Sequence, residues 1–119
     1  MGLSIARTIV EAAKTGLLMD DTAGLILFLI RHAKSSWKHS ELSDHDRPLN
    51  RRGRRDAPLM AARVANRPLP PELIVSSSAL RAKTTAEHLA DVLTGVELRL
   101  DHRLYDASTE ELLEVVQGL

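Results

Sequence analysis

Three basic residues in the sequence stand where they could bind an anion. Arg31 and His32 come directly after the apolar run Leu25 to Ile30. Arg81 follows Ser76 to Ser78, which come after a second apolar run. In an open α/β sheet, ligands bind beyond the carboxyl ends of the strands, so two such strand ends would bring these three side chains together.

An imidazole between two guanidinium groups suits phosphoryl transfer. A neutral histidine can attack phosphorus, while arginines bind the non-bridging oxygens and neutralise the charge of the transition state. Nearby cations also lower the pKa of the imidazole and so keep it nucleophilic. The residues alone leave an alternative open, in which His32 is an ordinary strand-end histidine and Arg31 and Arg81 are solvated surface groups.

Composition restricts the classes of protein to which the chain can belong. Its 119 residues are enough for one small domain. Lys+Arg and Asp+Glu tie at 16 each, and this zero net charge argues against a general polyanion binder. The absence of cysteine excludes disulfides, thiolate zinc sites and cysteine nucleophiles. The longest apolar run is shorter than the roughly 20 residues that a bilayer requires, and no convincing export signal precedes it, so we expect a cytoplasmic protein without a membrane partner.

Alternating element types predict a parallel α/β sheet. Apolar runs predict strands over 25–30, 73–75 and 96–100, the first of them buried on both faces and with a neighbouring strand on each edge. Helices are expected after Asn50 as N-cap, after the serine triplet, and after a capping box of Ser108 with Glu111. Pro58 should kink its helix or lie in the first turn. Residues 3–18 carry apolar side chains at helical spacing, which predicts an amphipathic helix.

Four segments, in the same order, resemble the histidine phosphatase (phosphoglycerate-mutase-like) superfamily and its SixA-type phosphohistidine phosphatases. They are the strand and RHAKSSW stretch at 27–37, the D-x-x-R-P-L-N lead into a helix at 44–54, the S-x-A-L-R-A segment at 77–86, and L-Y-D-A-S-T-E-E-L at 104–112. The resemblance begins near Leu25. It therefore divides the chain into an N-terminal extension, 1–24, and a histidine-phosphatase-like domain, 25–119.

The resemblance implies a role for each matching residue. His32 would be the phosphate-accepting nucleophile, and Arg31 and Arg81 the two phosphate-binding arginines. Ser35 and Lys38 fall on loop positions near the phosphate, although many relatives carry Asn where Lys38 stands. Asp106 is the first candidate for the acid that protonates the leaving group, with Glu110 second and a plain helix-cap neighbour as the alternative reading. The family needs no metal and no cofactor.

One feature departs from the family pattern. The family completes its pocket with a second histidine in a G-H motif on a later strand, and neither His88 nor His102 lies in such a motif. The resemblance therefore implies a three-layer α/β/α domain with a mostly parallel sheet that is incomplete at its C-terminus. An open sheet edge would then favour self-association and marginal stability.

The implied function is a phosphatase acting on protein phosphohistidine, such as a phosphotransfer domain, or on a small phosphoester. A remnant that binds phosphate without turnover is the alternative. A nucleic-acid module built on residues 51–55 is a second alternative, which the zero net charge and the lack of interleaved aromatics oppose. Metal-ligand residue types occur in one irregular loop without ligands from a second element, so we expect no metal there; they are His39, Asp44, His45 and Asp46.

Overall fold

The computed structural model describes the backbone of residues 3–10, 24–38 and 41–119, and the side chains of residues 27–38 and 41–119. In these ranges four strands form one sheet in the order β2-β1-β3-β4, with three α-helices around it. The strands are β1 (Leu3–Val10), β2 (Gly24–Arg31), β3 (Leu73–Ser76) and β4 (Glu97–Leu100). The helices are α1 (Arg51–Ala65), α2 (Leu80–Val92) and α3 (Thr109–Gln117).

The buried strand β3 separates two apolar layers. Ile74 packs on one face with Ala61 of α1 and with Leu89 of α2. On the other face, Leu73 and Val75 pack with residues that include Val115 of α3. Because successive side chains of a strand point to opposite faces, this alternation places helices on both sides of the sheet. The expected three-layer α/β fold is confirmed. Among the helices that the structure describes, none combines the length and the apolar character needed to cross a membrane.

The two side-chain caps that the sequence predicts, at the starts of α1 and α3, are formed as expected. The Asn50 side chain accepts a hydrogen bond from the Gly53 amide and begins α1. Ser108 and Glu111 form a complete capping box at α3. Pro58 lies inside α1, not in its first turn, and the helix continues through it.

The predicted helix over residues 3–18 is wrong for residues 3–10, which form strand β1; residues 11–18 lie outside the described part of the chain. β1 is antiparallel to both β2 and β3, and Ile5, for example, pairs with Leu29 on one side and with Val75 on the other. The segment is rich in β-branched residues, which favour strands. Pairing with a strand on each edge also satisfies the backbone N–H and C=O groups of this segment.

The expectation that strand 25–30 is buried on both faces, with neighbours on both edges, is also wrong. β2 ends the sheet and pairs, among the described strands, with β1 alone. Ile30 is buried, but Leu29 is 59% exposed. The cause is the insertion of β1 between β2 and β3. β2, β3 and β4 still run in one direction, while β1 runs opposite to them.

Candidate functional site

A cleft of about 440 Å³ lies where β2 ends and α2 begins, and we call it the His32 cleft. It brings together four residues that the sequence nominated, namely Arg31, His32, Ser35 and Arg81. The other lining residues are Ala33, Lys34, Trp37, Asp44 and Arg47. Four of the nine lining side chains are permanent cations and one is a carboxylate, so the cleft is suited to an anion.

The orientation of His32 leaves one ring nitrogen available for chemistry. Its Nδ1 lies 2.6 Å from the carbonyl oxygen of Ala33. A carbonyl can only accept, so Nδ1 donates, and the neutral ring carries its lone pair on Nε2. Burial lowers the pKa of His32 below its ordinary 6.5, and the charges of Arg81 and Arg31 lower it further, against the opposing effect of the Ala33 hydrogen bond. The imidazole is therefore neutral and nucleophilic near pH 7.

The loop that carries His32 is attached to helix α2. The amide of Ala33 donates to the hydroxyl of Thr85 over 3.1 Å. That buried hydroxyl in turn donates to the carbonyl oxygen of Arg81, 2.7 Å away. The loop of His32 and the backbone of Arg81 are thus held to the same turn of α2, although they are far apart in sequence.

A second loop supports the floor of the cleft. Ser35 and Leu49 form an antiparallel bridge, and the Asn50 amide donates to the carbonyl oxygen of Lys34 over 2.9 Å. Gly53 lies so close beneath this loop that a β-carbon there would overlap the Lys34 carbonyl oxygen. The first turn of α1 and the loop after His32 therefore form one closely packed unit.

Asp44 binds both buried arginines of the cleft. Arg81 donates from Nη1 to the main-chain oxygen of Asp44 (2.6 Å) and from Nη2 to its Oδ2 (3.0 Å). Arg47 donates from Nε (3.1 Å) and from Nη2 (3.0 Å) to Oδ1. Tyr105 donates its hydroxyl to Oδ2 over 2.7 Å. The hydrogen bond from Tyr105, followed by those from Arg47 and Arg81, holds the pKa of Asp44 far below its ordinary range, so the carboxylate stays ionised.

Arg47 joins this carboxylate to the wall of the cleft. Its Nη1 donates to the Ser35 hydroxyl (2.9 Å) and to the Ser36 carbonyl oxygen (3.2 Å). Its guanidinium carbon also lies 3.5 Å from the centroid of the Trp37 ring, within range of a cation–π contact. Trp37 itself is 78% exposed at the mouth of the cleft.

The other residues that the sequence predicts for the site do not line the His32 cleft. Lys38 lines a neighbouring cleft of about 260 Å³, together with Arg51 and Arg54 among others. Asp106 is exposed, has a backbone φ of 50°, and does not line the His32 cleft. Glu110 is exposed in the first turn of α3.

Sequence reasoning missed the contributions of Asp44, Arg47, Trp37 and Tyr105. The signal for two of them was present, because the D-x-x-R spacing at 44–47 puts an acid and a base within reach of each other. From the sequence alone, the D-x-x-R segment indicates only the approach to a helix. The bonds from Asp44 to Arg81 and Tyr105 cross 37 and 61 positions of sequence, and no local pattern encodes them.

Comparison with known proteins begins with the sequence. The model of the family described as the histidine phosphatase superfamily (branch 1) matches residues 27–113. An uncharacterized chloroplastic protein of Arabidopsis thaliana is 41% identical over 69 residues, which cover 58% of this chain and 32% of that protein. An uncharacterized protein of Mycobacterium leprae is 32% identical over 95 residues, which cover 76% and 56% respectively.

Two solved structures resemble this chain in fold. The crystal structure of a proposed phosphohistidine phosphatase SixA from Agrobacterium tumefaciens superposes with a TM-score of 0.70 at 31% identity. The match covers 75% of this chain and 58% of that one. A structure with the same description from Nakamurella multipartitia gives a TM-score of 0.62 at 27% identity, over 76% and 49%. The chain thus spans between about a third and three fifths of the length of these four proteins.

Proposed function

The chain belongs to the histidine phosphatase superfamily (branch 1), and we propose that it is a phosphatase that acts through a phosphohistidine formed on His32. One observation carries the proposal. The Nε2 atom of His32 has its lone pair free, because Nδ1 is bonded to Ala33. Arg31 and Arg81 line the same cleft and can hold the oxygens of a phosphoryl group in front of that nitrogen.

The reaction would take two displacement steps at phosphorus. In the first, Nε2 of His32 attacks phosphorus and the bond to the leaving group breaks, so that the leaving group departs with the electron pair and is protonated. In the second, water attacks the phosphohistidine, the phosphorus–nitrogen bond breaks, and the electron pair returns to Nε2. Water gives up one proton in this step, and inorganic phosphate is released. Arg31, Arg81 and Lys34 would balance the charge that builds up on the phosphoryl oxygens.

The acid–base properties of the cleft favour a leaving group that needs little protonation. Asp44 is the one carboxylate among the lining residues, and its depressed pKa keeps it ionised, so it does not act as the proton donor. The imidazole of a phosphohistidine is such a leaving group. We therefore propose protein phosphohistidine, as on a phosphotransfer domain, ahead of an alkyl phosphoester. Asp106 and Glu110 stay candidates for the general acid, although both are exposed.

Trapping the intermediate tests the assignment of His32. The full chain would be incubated with a labelled small-molecule phosphodonor such as phosphoramidate and quenched at alkaline pH, where phosphohistidine survives. We expect label on the parental chain and on His102→Ala, which alters an exposed histidine outside the cleft. His32→Ala should carry none. Label on His32→Ala at the parental level would refute the assignment.

A rate comparison addresses the substrate class. Hydrolysis of a phosphohistidine-bearing protein would be measured against that of a chromogenic phosphomonoester. Faster turnover of the phosphohistidine protein would support the proposed substrate. Equal rates on both would favour a small phosphoester. Binding of inorganic phosphate without turnover of either compound would favour the alternative of a phosphate-binding family member.

A further inference from the structure

We propose that Asp44 is a positioning residue: it is held in place by Arg47, and it holds Arg81 in the orientation that receives the phosphoryl group of the substrate. This inference rests on the proposed function, because it names the group that orients an arginine of the same cleft. The juxtaposition that carries it is a single aspartate bonded to both buried guanidinium groups and to a tyrosine 61 positions away in sequence.

The bonds to Arg81 determine which of its donors are left for a ligand. Asp44 accepts from Nη1 through its main-chain oxygen and from Nη2 through its carboxylate. A guanidinium has five N–H donors. Asp44 therefore leaves one hydrogen on each Nη and the Nε–H. Among the described residues, Nε of Arg81 is the buried side-chain atom without a hydrogen-bond partner, and a buried donor in that condition is costly. A phosphoryl oxygen would supply the partner.

Arg47 is bound more completely than Arg81. Its Nε, Nη1 and Nη2 all donate to Asp44, Ser35 or Ser36. Its side chain is also largely buried. Arg47 thus has little donor capacity left for a ligand, and its main effect is to fix Ser35 and the carboxylate of Asp44. Asp44, fixed in this way, in turn fixes the orientation of the Arg81 guanidinium group through its two hydrogen bonds.

The carboxylate is required because the two guanidinium groups repel each other. Arg47 and Arg81 are both buried and both bond to Asp44, so their charges lie close together. A charge buried without a counter-ion is strongly unfavourable. The negative charge of Asp44 stabilises both arginines inside the cleft, and a neutral side chain of the same shape would not.

Tyr105, from the segment before α3, restrains the carboxylate of Asp44. Its hydroxyl donates to Oδ2 over 2.7 Å, and its ring contacts that of His45 edge to face, with the centroids 5.0 Å apart. The bond to Asp44 raises the pKa of Tyr105, so the hydroxyl remains a donor throughout the neutral range. Removing this hydroxyl would leave the charge of Asp44 in place and loosen only its orientation.

The test uses the full chain and three variants. Asp44→Asn removes the charge and keeps the shape. Tyr105→Phe removes one hydrogen bond to Oδ2. Asp46→Asn is the matched control, since Asp46 is exposed and bonds to Ser43 and His45 instead of to the cleft arginines. Binding of inorganic phosphate is measured by calorimetry, kcat and KM are measured on the same samples, and thermal midpoints show which variants are folded.

We expect Asp44→Asn to weaken phosphate binding and raise KM by about tenfold or more, the size of losing a charge-assisted hydrogen bond, with a smaller change in kcat. Tyr105→Phe should act in the same direction by a smaller factor, and Asp46→Asn should match the parent. If Asp44→Asn does not fold, Tyr105→Phe decides alone. Unchanged or tighter phosphate binding in the folded variants would overturn the inference, and tighter binding would identify Asp44 as a competitor of the ligand.

The outcome for the parental chain separates this inference from the proposed function. Phosphate binding that depends on Asp44, without turnover of any phosphorylated compound, would overturn the phosphatase proposal and support the positioning role. Turnover through His32 that does not change in Asp44→Asn would support the phosphatase proposal and overturn the positioning role. A parental chain that neither binds phosphate nor turns over substrate would overturn both.

Discussion

The two buried arginines of the His32 cleft, Arg47 and Arg81, carry the same charged group as the arginines at the start of α1 but lie in the opposite environment. Arg81 is 1% exposed, Arg47 is 7% exposed, and both donate to the carboxylate of Asp44. The arginines of the α1 start are all exposed; they are Arg51, Arg52, Arg54 and Arg55. Burial together with a fixed carboxylate converts a flexible cation into an oriented donor. A run of basic residues without those two conditions remains a solvated surface.

The largest effect should follow from removing a cleft arginine. We expect Arg81→Ala to lower the phosphatase rate by about 10²- to 10³-fold, the usual loss when a donor to developing charge is deleted. Arg81→Lys should also be slow, because an ammonium group cannot replace the paired donors of a guanidinium. Arg55→Ala, an exposed arginine of α1, is the control and should turn over like the parent. Similar rates for Arg81→Ala and Arg55→Ala would abolish the distinction between the two groups.

A second prediction concerns the point where the α1 start touches the cleft. Gly53→Ala would push a methyl group into the Lys34 carbonyl, so we expect a loss of about 1–3 kcal/mol in the free energy of unfolding. Gly118→Ala is the matched control, because a β-carbon there would meet only ordinary contacts at 3.6 Å. Urea denaturation measures both. Equal stability of the two variants would mean that the loop after His32 can move away from the added methyl group at little cost in free energy.

The third prediction is a pH dependence. The reaction needs neutral His32, and its pKa is lowered below 6.5 by burial and by Arg81 and Arg31. Activity should therefore be full near pH 7 and fall only as the pH drops through that lowered pKa. In Arg81→Ala the pKa should rise, since one neighbouring cation is gone. NMR titration of the His32 ring in the two proteins checks this, and a shift to lower pH in the variant would contradict it.

The smallest effect should come from the ion pairs of the α1 start. Arg52 and Arg55 both approach Asp56, at 3.6 and 3.2 Å, with their side chains largely in solvent. We expect Asp56→Ala to change the free energy of unfolding by less than about 0.5 kcal/mol, measured by thermal melts in low salt.

The arginines at the start of α1 also allow a test of the nucleic-acid alternative. Oligonucleotide binding with a steep salt dependence that is lost in Arg52→Ala would support that alternative.

The sequence predicts the site residues that lie at strand ends, but it does not predict contacts between side chains from distant segments of the chain. Arg31, His32 and Ser35 are neighbours in the chain, and Arg81 lies at an equivalent strand end, so one rule about parallel sheets brings all four together. Asp44 and Tyr105 meet only because the segment before α3 and the loop before α1 come together on folding. The local pattern does not contain that information.

The same reasoning explains the misassigned strand. Residues 3–10 contain apolar side chains that fit a helical period and also fit alternation, so the local pattern cannot decide between the two. What decides is the pairing of β1 with β2 and with β3. The prediction for 73–75 succeeded because a short apolar run bounded by prolines and serines has fewer alternatives.

The position of β1 also determines the order in which the molecule can assemble. Val10 pairs with Gly24, a short loop closure, whereas Ser4 pairs with Ser76 across most of the chain. Closing the longer loop costs more conformational entropy, so we expect the β1–β2 pair to form early and to dock on β3 late. Pulsed hydrogen exchange during refolding would show whether amides of β1 that face β2 are protected before those that face β3. Since His32 follows β2 and Arg81 follows β3, the cleft would come into existence only with this last docking step, and no partly folded chain would hold a working pair.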